Sequence, residues 1–236
     1  MSRAPRIEIP GIPLHIVQRG NNRAACFFSD IDRRFYLKCL AETARRRGCA
    51  IHAYALMTNH VHLMGLPHDE ESLAKTIGSI HLRYTLLLNT REGWQGHLWQ
   101  NRYFSAPLDE AYRWRALRYI ELNPVRAGMV AVPEEYHWSS AAAHLGVYAP
   151  PPWLDMSEWA DCWTPDTWRD YLNEREGSET DLVTIRSRTS LGRPLGSSTF
   201  IQEVEQQTGR RLQYGPAGRP KKPPESSEAD KNGGRR

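Results

Sequence analysis

The sequence predicts an α+β fold built on a four-stranded antiparallel sheet, and three observations predict it. Short apolar segments typical of strands are interleaved with segments of helical spacing, in the order β-α-β-β-α-β-α. Turn signals such as Gly20-Asn21-Asn22 separate these segments. Hydrophobic residues make up 40% of the chain, which is enough for a buried core. The order is that of the ferredoxin-like split βαβ arrangement, with helices packed on one face and strands 1 and 3 at the centre.

The boundaries of the elements follow from local signals. The predicted elements are the strand Leu14–Arg19, the helix Asp30–Arg47, the hairpin strands Cys49–Met57 and His60–Leu66, the helix Ser72–Thr90, a strand within His97–Leu108 and a helix from Asp109 or Glu110. Ser29 or Asp30 can cap the first helix, and Gly48 can end it. Gly93 can end the second helix. The third helix must stop or kink by Asn123-Pro124, because proline cannot continue a helix and restricts the residue before it.

Changes in composition divide the chain into three parts. Residues 1–146 contain the split βαβ elements. Residues 147–212 form an aromatic-rich, mainly helical extension, and the stiff segment 149–152, Ala-Pro-Pro-Pro, lies near its start. Residues 213–236 are rich in Pro, Gly, Lys and Ser and are predicted to form a disordered basic tail.

The positive charge is concentrated at the C-terminal end. The chain carries a net charge of +4. Residues 209–236 carry +5, from eight basic and three acidic residues, so the rest of the chain carries −1. A near-neutral body with a basic tail indicates contact between the tail and a polyanion such as nucleic acid. The alternative is a solvated tail that its charge keeps soluble.

The sequence does not indicate a membrane protein or a secreted protein. The N-terminal segment has no apolar run that could serve as a signal peptide, and no segment approaches the ~20 apolar residues of a membrane helix. The four cysteines show neither metal-ligand nor paired spacing. We therefore expect reduced thiols in a cytoplasmic protein that has no membrane partner.

His60-Val61-His62 lies in a predicted strand, so both histidines project from the same face while Val61 faces the other. Two imidazoles one strand step apart are half of a possible metal site. A zinc hydrolase would want an Asp-His soon afterwards, and structural zinc would want four close ligands; neither is present. Mg²⁺ or Mn²⁺ assisting phosphate chemistry remains, and so do two histidines that only hydrogen-bond across a sheet surface.

The third predicted helix carries two stripes. Arg115, Tyr119 and Asn123 fall at i, i+4 and i+8 and share one stripe. An apolar stripe centred on Leu117 is suited to packing on the sheet. The helical wheel places Tyr119 nearly opposite that apolar stripe, free to react or to bind a ligand. The alternative is an ordinary surface tyrosine.

Three blocks together resemble the single-tyrosine HUH transposases, and more closely the REP-associated tyrosine transposases. The blocks are His60-Val61-His62, the run 99–104 (Trp-Gln-Asn-Arg-Tyr-Phe) and the run 118–128 (Arg-Tyr-Ile-Glu-Leu-Asn-Pro-Val-Arg-Ala-Gly). The resemblance covers about residues 8–146 and implies that residues 1–146 form the catalytic domain. It implies metal-dependent cleavage and rejoining of REP-type palindromic single-stranded DNA through a 5′-phosphotyrosine.

The resemblance also implies roles for four residues. By this resemblance, His60 and His62 are ligands of Mg²⁺ or Mn²⁺, and Tyr119 is the nucleophile. Asn123 takes the position where related transposases commonly place a Gln ligand, although Asn is one methylene shorter. The long C-terminal extension resembles that of the monomeric branch of these enzymes, and a dimer that exchanges the tyrosine helix stays open.

DNA contacts are predicted from basic and amide side chains. The turn at residues 19–23 presents two guanidiniums and two amides, which can bind phosphates and unpaired base edges, although it is equally consistent with an ordinary turn. Residues 218–222, Gly-Arg-Pro-Lys-Lys, resemble the core of an AT-hook without its leading arginine, and a second Gly-Arg-Pro lies at 192–194. The predicted contacts are Arg19, Asn21, Asn22, Arg23, Arg102, Arg115, Arg126, Arg193, Arg219, Lys221 and Lys222.

Two other functions stay open from the sequence. A nucleic-acid-binding regulator could retain the fold and have lost the chemistry. A metallophosphodiesterase that uses water as its nucleophile would cleave DNA without any covalent protein–DNA intermediate.

Overall fold

The structure, a computed structural model, describes residues 5–174 and 179–213. The strands are β1 (Leu14–Arg19), β2 (Cys49–Leu56), β3 (His60–Pro67) and β4 (Phe104–Pro107). The helices are α1 (Asp30–Arg47), α2 (Ser72–Glu92), α3 (Glu110–Glu121), α4 (Asn123–Arg126), α5 (Ala141–His144), α6 (Ser157–Cys162), α7 (Pro165–Asn173), α8 (Glu179–Leu191) and α9 (Ser198–Thr208). None of these helices is both long and apolar enough to cross a membrane. The predicted DNA contacts Arg219, Lys221 and Lys222, and the tail from residue 214 onward, lie outside the described residues.

β1 and β3 occupy the centre of the sheet, as predicted. The strand order is β2-β3-β1-β4, and every neighbouring pair is antiparallel. Val17 of β1 pairs with His62 of β3, and Arg19 pairs with His60. The α+β class with its four-stranded antiparallel sheet is therefore confirmed, and both histidines of the motif lie on a central strand.

Helices cover both faces of the sheet, which corrects the prediction that they pack on one face. α1 and α2 lie on one side, where a Cβ added to Gly65 of β3 would be 3.4 Å from Leu73 Cδ1 of α2. The other side carries His15 and His62, whose rings contact Tyr119 of α3. β2 is buried along both faces and its sequence is nearly continuously apolar. A strand with one solvated face alternates apolar and polar residues, and β2 does not, which agrees with a sheet covered on both faces.

Local signals set the helix ends as predicted. The Ser29 side chain accepts a hydrogen bond from the backbone N–H of Asp32, and the Asp32 carboxylate accepts one from the N–H of Ser29. Gly48 and Gly93 end α1 and α2 with φ values of +63° and +67°. This left-handed conformation costs glycine little because it has no Cβ. Asp109 caps α3 through its side chain.

The fourth strand is shorter than predicted. Within the predicted segment His97–Leu108, only Phe104–Pro107 forms β4. Asn101 has a φ of +57°, and this left-handed residue interrupts the extended backbone. Upstream of it, Trp99 makes a single bridge to Gly20. The segment before β4 is therefore a loop that packs against the end of β1.

The C-terminal helices pack against the sheet. α3 ends at the predicted kink, and Pro124 lies in the first turn of α4. Beyond residue 146 the described chain is mainly helical, and α8 lies against β4 and β1. Leu195 bridges to Leu108 directly after β4. The domain boundaries at residues 146 and 212 stay a prediction.

Candidate active site

Both histidines of the motif face one cavity from β3. Their side chains project from the same side of the strand, and their ring centroids are 4.8 Å apart. His62 is buried, with 4% of its surface exposed, whereas His60 is partly exposed. The cavity has a volume of about 730 Å³, and its other walls come from β1, β4, α3, α4 and α8.

Each histidine has a hydrogen-bond partner at Nδ1. His60 Nδ1 lies 2.7 Å from Oδ1 of Asn59. Asn59 is oriented by its Nδ2, which donates to the carbonyl of Arg23 at 3.0 Å. Because an amide oxygen only accepts, His60 carries its proton on Nδ1 and a lone pair on Nε2. On the other histidine, His62 Nδ1 lies 3.0 Å from Nε2 of His15.

The imidazoles of the site are neutral at neutral pH. Burial lowers the pKa of His15 to about 3. Burial, with a contribution from nearby Arg19, lowers the pKa of His60 to about 4. Burial and the adjacent His60 lower the pKa of His62 well below its usual range. Neutral imidazole is the form that can bind a metal ion.

The donor set fits a divalent ion that also takes ligands from solvent or substrate. Among the residues that the structure describes, no group of three His, Cys, Asp or Glu side chains could hold a metal ion. The candidate donors are His60, His62 and the amide of Asn123, which line the same cavity. Asn123 Nδ2 donates to the carbonyl of Tyr119 at 2.9 Å, so its Oδ1 is the atom suited to bind a cation. Two nitrogens and one amide oxygen are compatible with Mg²⁺ or Mn²⁺.

Tyr119 lies against the histidines. Its ring centroid is 5.5 Å from the rings of both His15 and His62, with an edge-on geometry. The guanidinium carbon of Arg126 is 4.5 Å from the centroid of the Tyr119 ring. Arg186 of α8 donates its Nε to the hydroxyl of Tyr119 at 3.2 Å. Tyr119 therefore contacts the candidate metal ligand His62 with its ring and the cation Arg186 with its hydroxyl.

The prediction that Tyr119 lies away from the packed side of α3 is wrong, because its side chain is only 5% exposed. All residues from Ala116 to Glu121 are buried. The Tyr119 ring contacts His15 of β1 and His62 of β3 on the sheet, and α8 contributes Arg186 at the tyrosine hydroxyl. The apolar stripe of α3 indicates where aliphatic side chains pack and does not reveal that polar side chains of the sheet and of α8 enclose the tyrosine.

Three residues of the site were not predicted: His15, Arg186 and Thr189. His15 shares a face of β1 with Arg19, and β1 was expected beside β3. Strand alternation could therefore have indicated His15. Arg186 and Thr189 lie on α8 and line the cavity from the extension. No local sequence signal indicates them, because they reach the site only through tertiary packing.

Some of the predicted DNA contacts lie at or near the cavity. Arg19 and Arg23 line it, and Arg126 lies over the Tyr119 ring. The turn residues Asn21 and Asn22 line a neighbouring cavity of about 380 Å³. These five predicted contacts therefore lie in the two neighbouring cavities or against Tyr119, and their role in DNA binding stays a prediction.

The other predicted arginines in the described part of the chain lie elsewhere. Arg102 lines a separate cavity beside α2. Arg115 forms an ion pair with Asp181, with 3.5 Å between Nη1 and Oδ1. Arg193 donates to the carbonyl of Leu212 at 3.4 Å. The structure does not bring these three arginines to the cavity.

Residues 9–123 match the family model described as "Transposase IS200 like". Over these residues, the chain is similar to the IS200-like transposases. The resemblance found in the three sequence blocks is thereby confirmed at the level of the family. No curated protein matches the chain.

Two solved structures are similar to this chain to different degrees. A REP-associated tyrosine transposase bound to a REP hairpin has a TM-score of 0.53 and 19% identity, over 66% of this chain and 92% of that chain. A candidate transposase from Deinococcus radiodurans R1 has 21% identity and a TM-score of 0.36, over 51% of this chain and 96% of that chain. Only the first similarity is strong enough to show a common fold, and it agrees with the family match.

Proposed function

We propose that this chain is a metal-dependent single-stranded DNA transposase that cleaves and rejoins REP-type palindromic DNA through a 5′-phosphotyrosine intermediate. One observation carries the proposal: the ring of Tyr119 lies 5.5 Å from the ring of His62 in a shared cavity. A nucleophile beside candidate metal ligands is what attack on a phosphodiester requires. The family match over residues 9–123 and the REP hairpin bound by the structural neighbour support the same function.

We expect His60, His62 and Asn123 to hold Mg²⁺ or Mn²⁺. When bound, such an ion neutralises the charge that develops on the phosphoryl oxygens. The chain supplies neutral imidazoles whose orientation is set by Asn59 and His15. Hydrogen bonds of this kind at the second ring nitrogen orient histidine ligands in metal sites.

Tyr119 would attack the scissile phosphate directly. A free tyrosine has a pKa of about 10, so its hydroxyl needs a neighbouring group to favour the phenolate. Arg186, which donates to that hydroxyl, is placed to stabilise negative charge on the oxygen. A bond forms between the Tyr119 oxygen and phosphorus as the bond from phosphorus to the 3′ oxygen breaks. The phenolic proton passes to solvent and the 3′ oxygen takes up a proton, leaving a 3′-hydroxyl and a 5′-phosphotyrosine.

The covalent bond to Tyr119 is what permits rejoining. Attack on the 5′-phosphotyrosine by a 3′-hydroxyl reverses the first step, so a second strand end can be sealed without ATP. Two cations that line the cavity, Arg19 and Arg23, suit the phosphates of a single strand. We propose hairpin DNA with a single-stranded flank as the substrate, and a monomer as the active form.

A catalytically inactive DNA-binding regulator is the second candidate, and one observation favours it. Tyr119 is only 5% exposed, since α8 covers it from one side. A regulator would bind the hairpin through the same basic face and would form no covalent product. The two candidates therefore differ in a single measurable property, the covalent attachment of DNA.

The test is a denaturing gel of the full chain with Mg²⁺ and a 3′-labelled single-stranded oligonucleotide. The oligonucleotide carries an intergenic palindromic hairpin, with its flanks, from the genome that encodes the chain. The label must be at the 3′ end, because the fragment held by a 5′-phosphotyrosine retains that end. We expect a labelled band that migrates with the protein and resists denaturant, and its absence with EDTA.

Two variants complete the test. Tyr119→Phe is expected to bind the hairpin and to form no labelled band. Tyr112→Phe removes a hydroxyl from the same helix outside the cavity lining and is expected to form the band as the unmodified chain does. Cleavage without any band would instead indicate a phosphodiesterase that uses water, and binding without cleavage would indicate the regulator.

A further inference from the structure

A line of hydrogen bonds connects the extension to the histidine motif. Thr189 Oγ1 of α8 lies 2.9 Å from Nδ1 of His15, and His15 Nε2 lies 3.0 Å from Nδ1 of His62. The three side chains are buried, with exposed fractions of 2%, 1% and 4%. The two rings are almost parallel, with 5° between their planes. Three elements distant in the sequence thus meet in one buried chain of polar groups.

The proton positions along this line are coupled. A neutral imidazole has one N–H and one lone pair, so each ring donates at one nitrogen and accepts at the other. If His15 Nε2 donates to His62, then His62 carries its own proton on Nε2 and has no lone pair there. If His62 Nδ1 donates to His15, then His62 Nε2 keeps its lone pair. The second state requires His15 to donate from Nδ1 to the Thr189 hydroxyl.

We propose that His15 and Thr189 are positioning residues that hold the proton of His62 on Nδ1 and so leave its Nε2 available to a divalent cation. This inference rests on the proposed function, in which His62 is a metal ligand. Because His62 Nδ1 is occupied by His15, only Nε2 remains for that role. His60 is held in the same tautomer by Asn59, so both motif histidines present the same nitrogen.

The inference assigns a role in the site to the extension. Thr189 lies outside residues 9–123, the part that matches the family model. In the proposed state its hydroxyl accepts a hydrogen bond from His15 Nδ1, and a side chain of similar shape without a hydroxyl cannot replace it. Without that acceptor, His15 carries its proton on Nε2 and donates it to His62 Nδ1. His62 then carries its own proton on Nε2.

The first experiment needs no metal. The full chain, labelled with ¹⁵N, is studied by long-range ¹H–¹⁵N correlation, which reports the protonated nitrogen of each histidine ring. His15→Gln and His62→Gln assign the signals. We expect His15 and His62 of the unmodified chain to be protonated on Nδ1. Protonation of His62 on Nε2 would overturn the proposal without any variant.

The second experiment compares two substitutions at Thr189. Thr189→Val keeps the shape and removes the hydroxyl, and we expect it to move the His62 proton to Nε2 and to weaken Mn²⁺ binding about tenfold. Thr189→Ser keeps the hydroxyl and should leave both properties unchanged. Mn²⁺ affinity is read from the electron paramagnetic resonance signal of the unbound ion. An unchanged tautomer and affinity in Thr189→Val would contradict the proposal.

The outcomes separate this inference from the proposed function. Tyr119→Phe removes the nucleophile and should leave the tautomers and the Mn²⁺ affinity as they are. If the unmodified chain forms a covalent DNA product while Thr189→Val keeps the His62 tautomer, only the positioning role fails. If the tautomers are as expected and the unmodified chain forms no covalent product, the proposed chemistry fails and the line of hydrogen bonds stands.

Discussion

Arg186 donates its Nε to the hydroxyl of Tyr119 at 3.2 Å, although 67 residues separate them in the chain. The contact joins the C-terminal extension to the residue proposed to attack DNA. It also places a positive charge beside the oxygen on which negative charge must form. The extension is therefore a wall of the site as well as an addition to the sheet domain.

We predict that Arg186→Ala slows formation of the covalent DNA product about 100-fold, because one donor to a developing oxyanion contributes on this scale. Arg186→Lys keeps a charge and loses the guanidinium geometry, so its rate should lie between the rates of the unmodified chain and of Arg186→Ala. Single-turnover rates measured on denaturing gels give the comparison. Arg45→Ala removes an exposed arginine on α1 and serves as the control. An Arg186→Ala rate equal to that of the control would refute this role.

A buried carboxylate anchors α3 next to the nucleophile. Glu121 accepts hydrogen bonds from Ser140 Oγ at 2.6 Å, His144 Nδ1 at 2.6 Å and Trp168 Nε1 at 2.9 Å. We predict that Glu121→Ala lowers the free energy of unfolding by about 3–5 kcal/mol, since it leaves buried donors without an acceptor. Urea denaturation measures the change.

The control for Glu121 is Glu203→Ala, which removes an exposed carboxylate from α9. We expect it to change the free energy of unfolding by less than about 0.5 kcal/mol. Equal effects of the two substitutions would mean that the buried cluster contributes nothing to holding α3.

Much of the fold could be predicted from the sequence because its signals are local. The ends of α1 follow from the Ser29 cap and from Gly48, and both ends agree with the structure. The β2–β3 hairpin follows from two apolar segments separated by a short turn. β4 was predicted too long, because the left-handed conformation of Asn101 cannot be inferred from its neighbours alone.

The site could be predicted only where its residues lie in one segment. The motif placed His60 and His62 on one strand face, and the helical wheel placed Asn123 on the same stripe as Tyr119. The burial of Tyr119 could not be predicted, because it depends on His15, His62 and α8, which lie in distant parts of the sequence. Arg115 shares that stripe but pairs with Asp181, also on α8.

A partly buried histidine outside the site, His81, predicts a pH-dependent stability. Burial, with a contribution from Arg6, lowers the pKa of His81 to about 3, and Tyr36 Oη lies 3.2 Å from its Nε2. A histidine in the unfolded chain has a pKa near 6.5, so the unfolded state binds more protons below that pH. The stabilisation is complete above about pH 6.5 and is lost as the pH falls toward 3.

We therefore predict a smaller pH dependence for His81→Gln. Between about pH 6 and pH 4, the free energy of unfolding of the unmodified chain should fall more steeply than that of His81→Gln, by about 1.4 kcal/mol per pH unit. Urea denaturation at several pH values gives both slopes. Parallel curves for His81→Gln and the unmodified chain would show that His81 does not titrate as described.

The ligand role of Asn123 can be tested apart from catalysis. We predict that Asn123→Ala weakens Mn²⁺ binding about tenfold, because it removes one oxygen donor of three side-chain donors. The measurement is titration of the full chain without DNA, followed by the resonance of unbound Mn²⁺. Asn173→Ala, an exposed asparagine on α7, is the matched control. If both variants bind Mn²⁺ as the unmodified chain does, Asn123 is not a ligand.

The identity of the nucleophile is the central claim, and mass spectrometry of the covalent product tests it most directly. The product formed with Mg²⁺ is digested with nuclease and trypsin, and the peptide that carries a 5′-linked nucleotide is sequenced. We predict the peptide 119–126, which contains Tyr119 as its only tyrosine, with the added mass on that side chain. A nucleotide on any other residue, or no modified peptide from a reaction that cleaves DNA, would contradict the account.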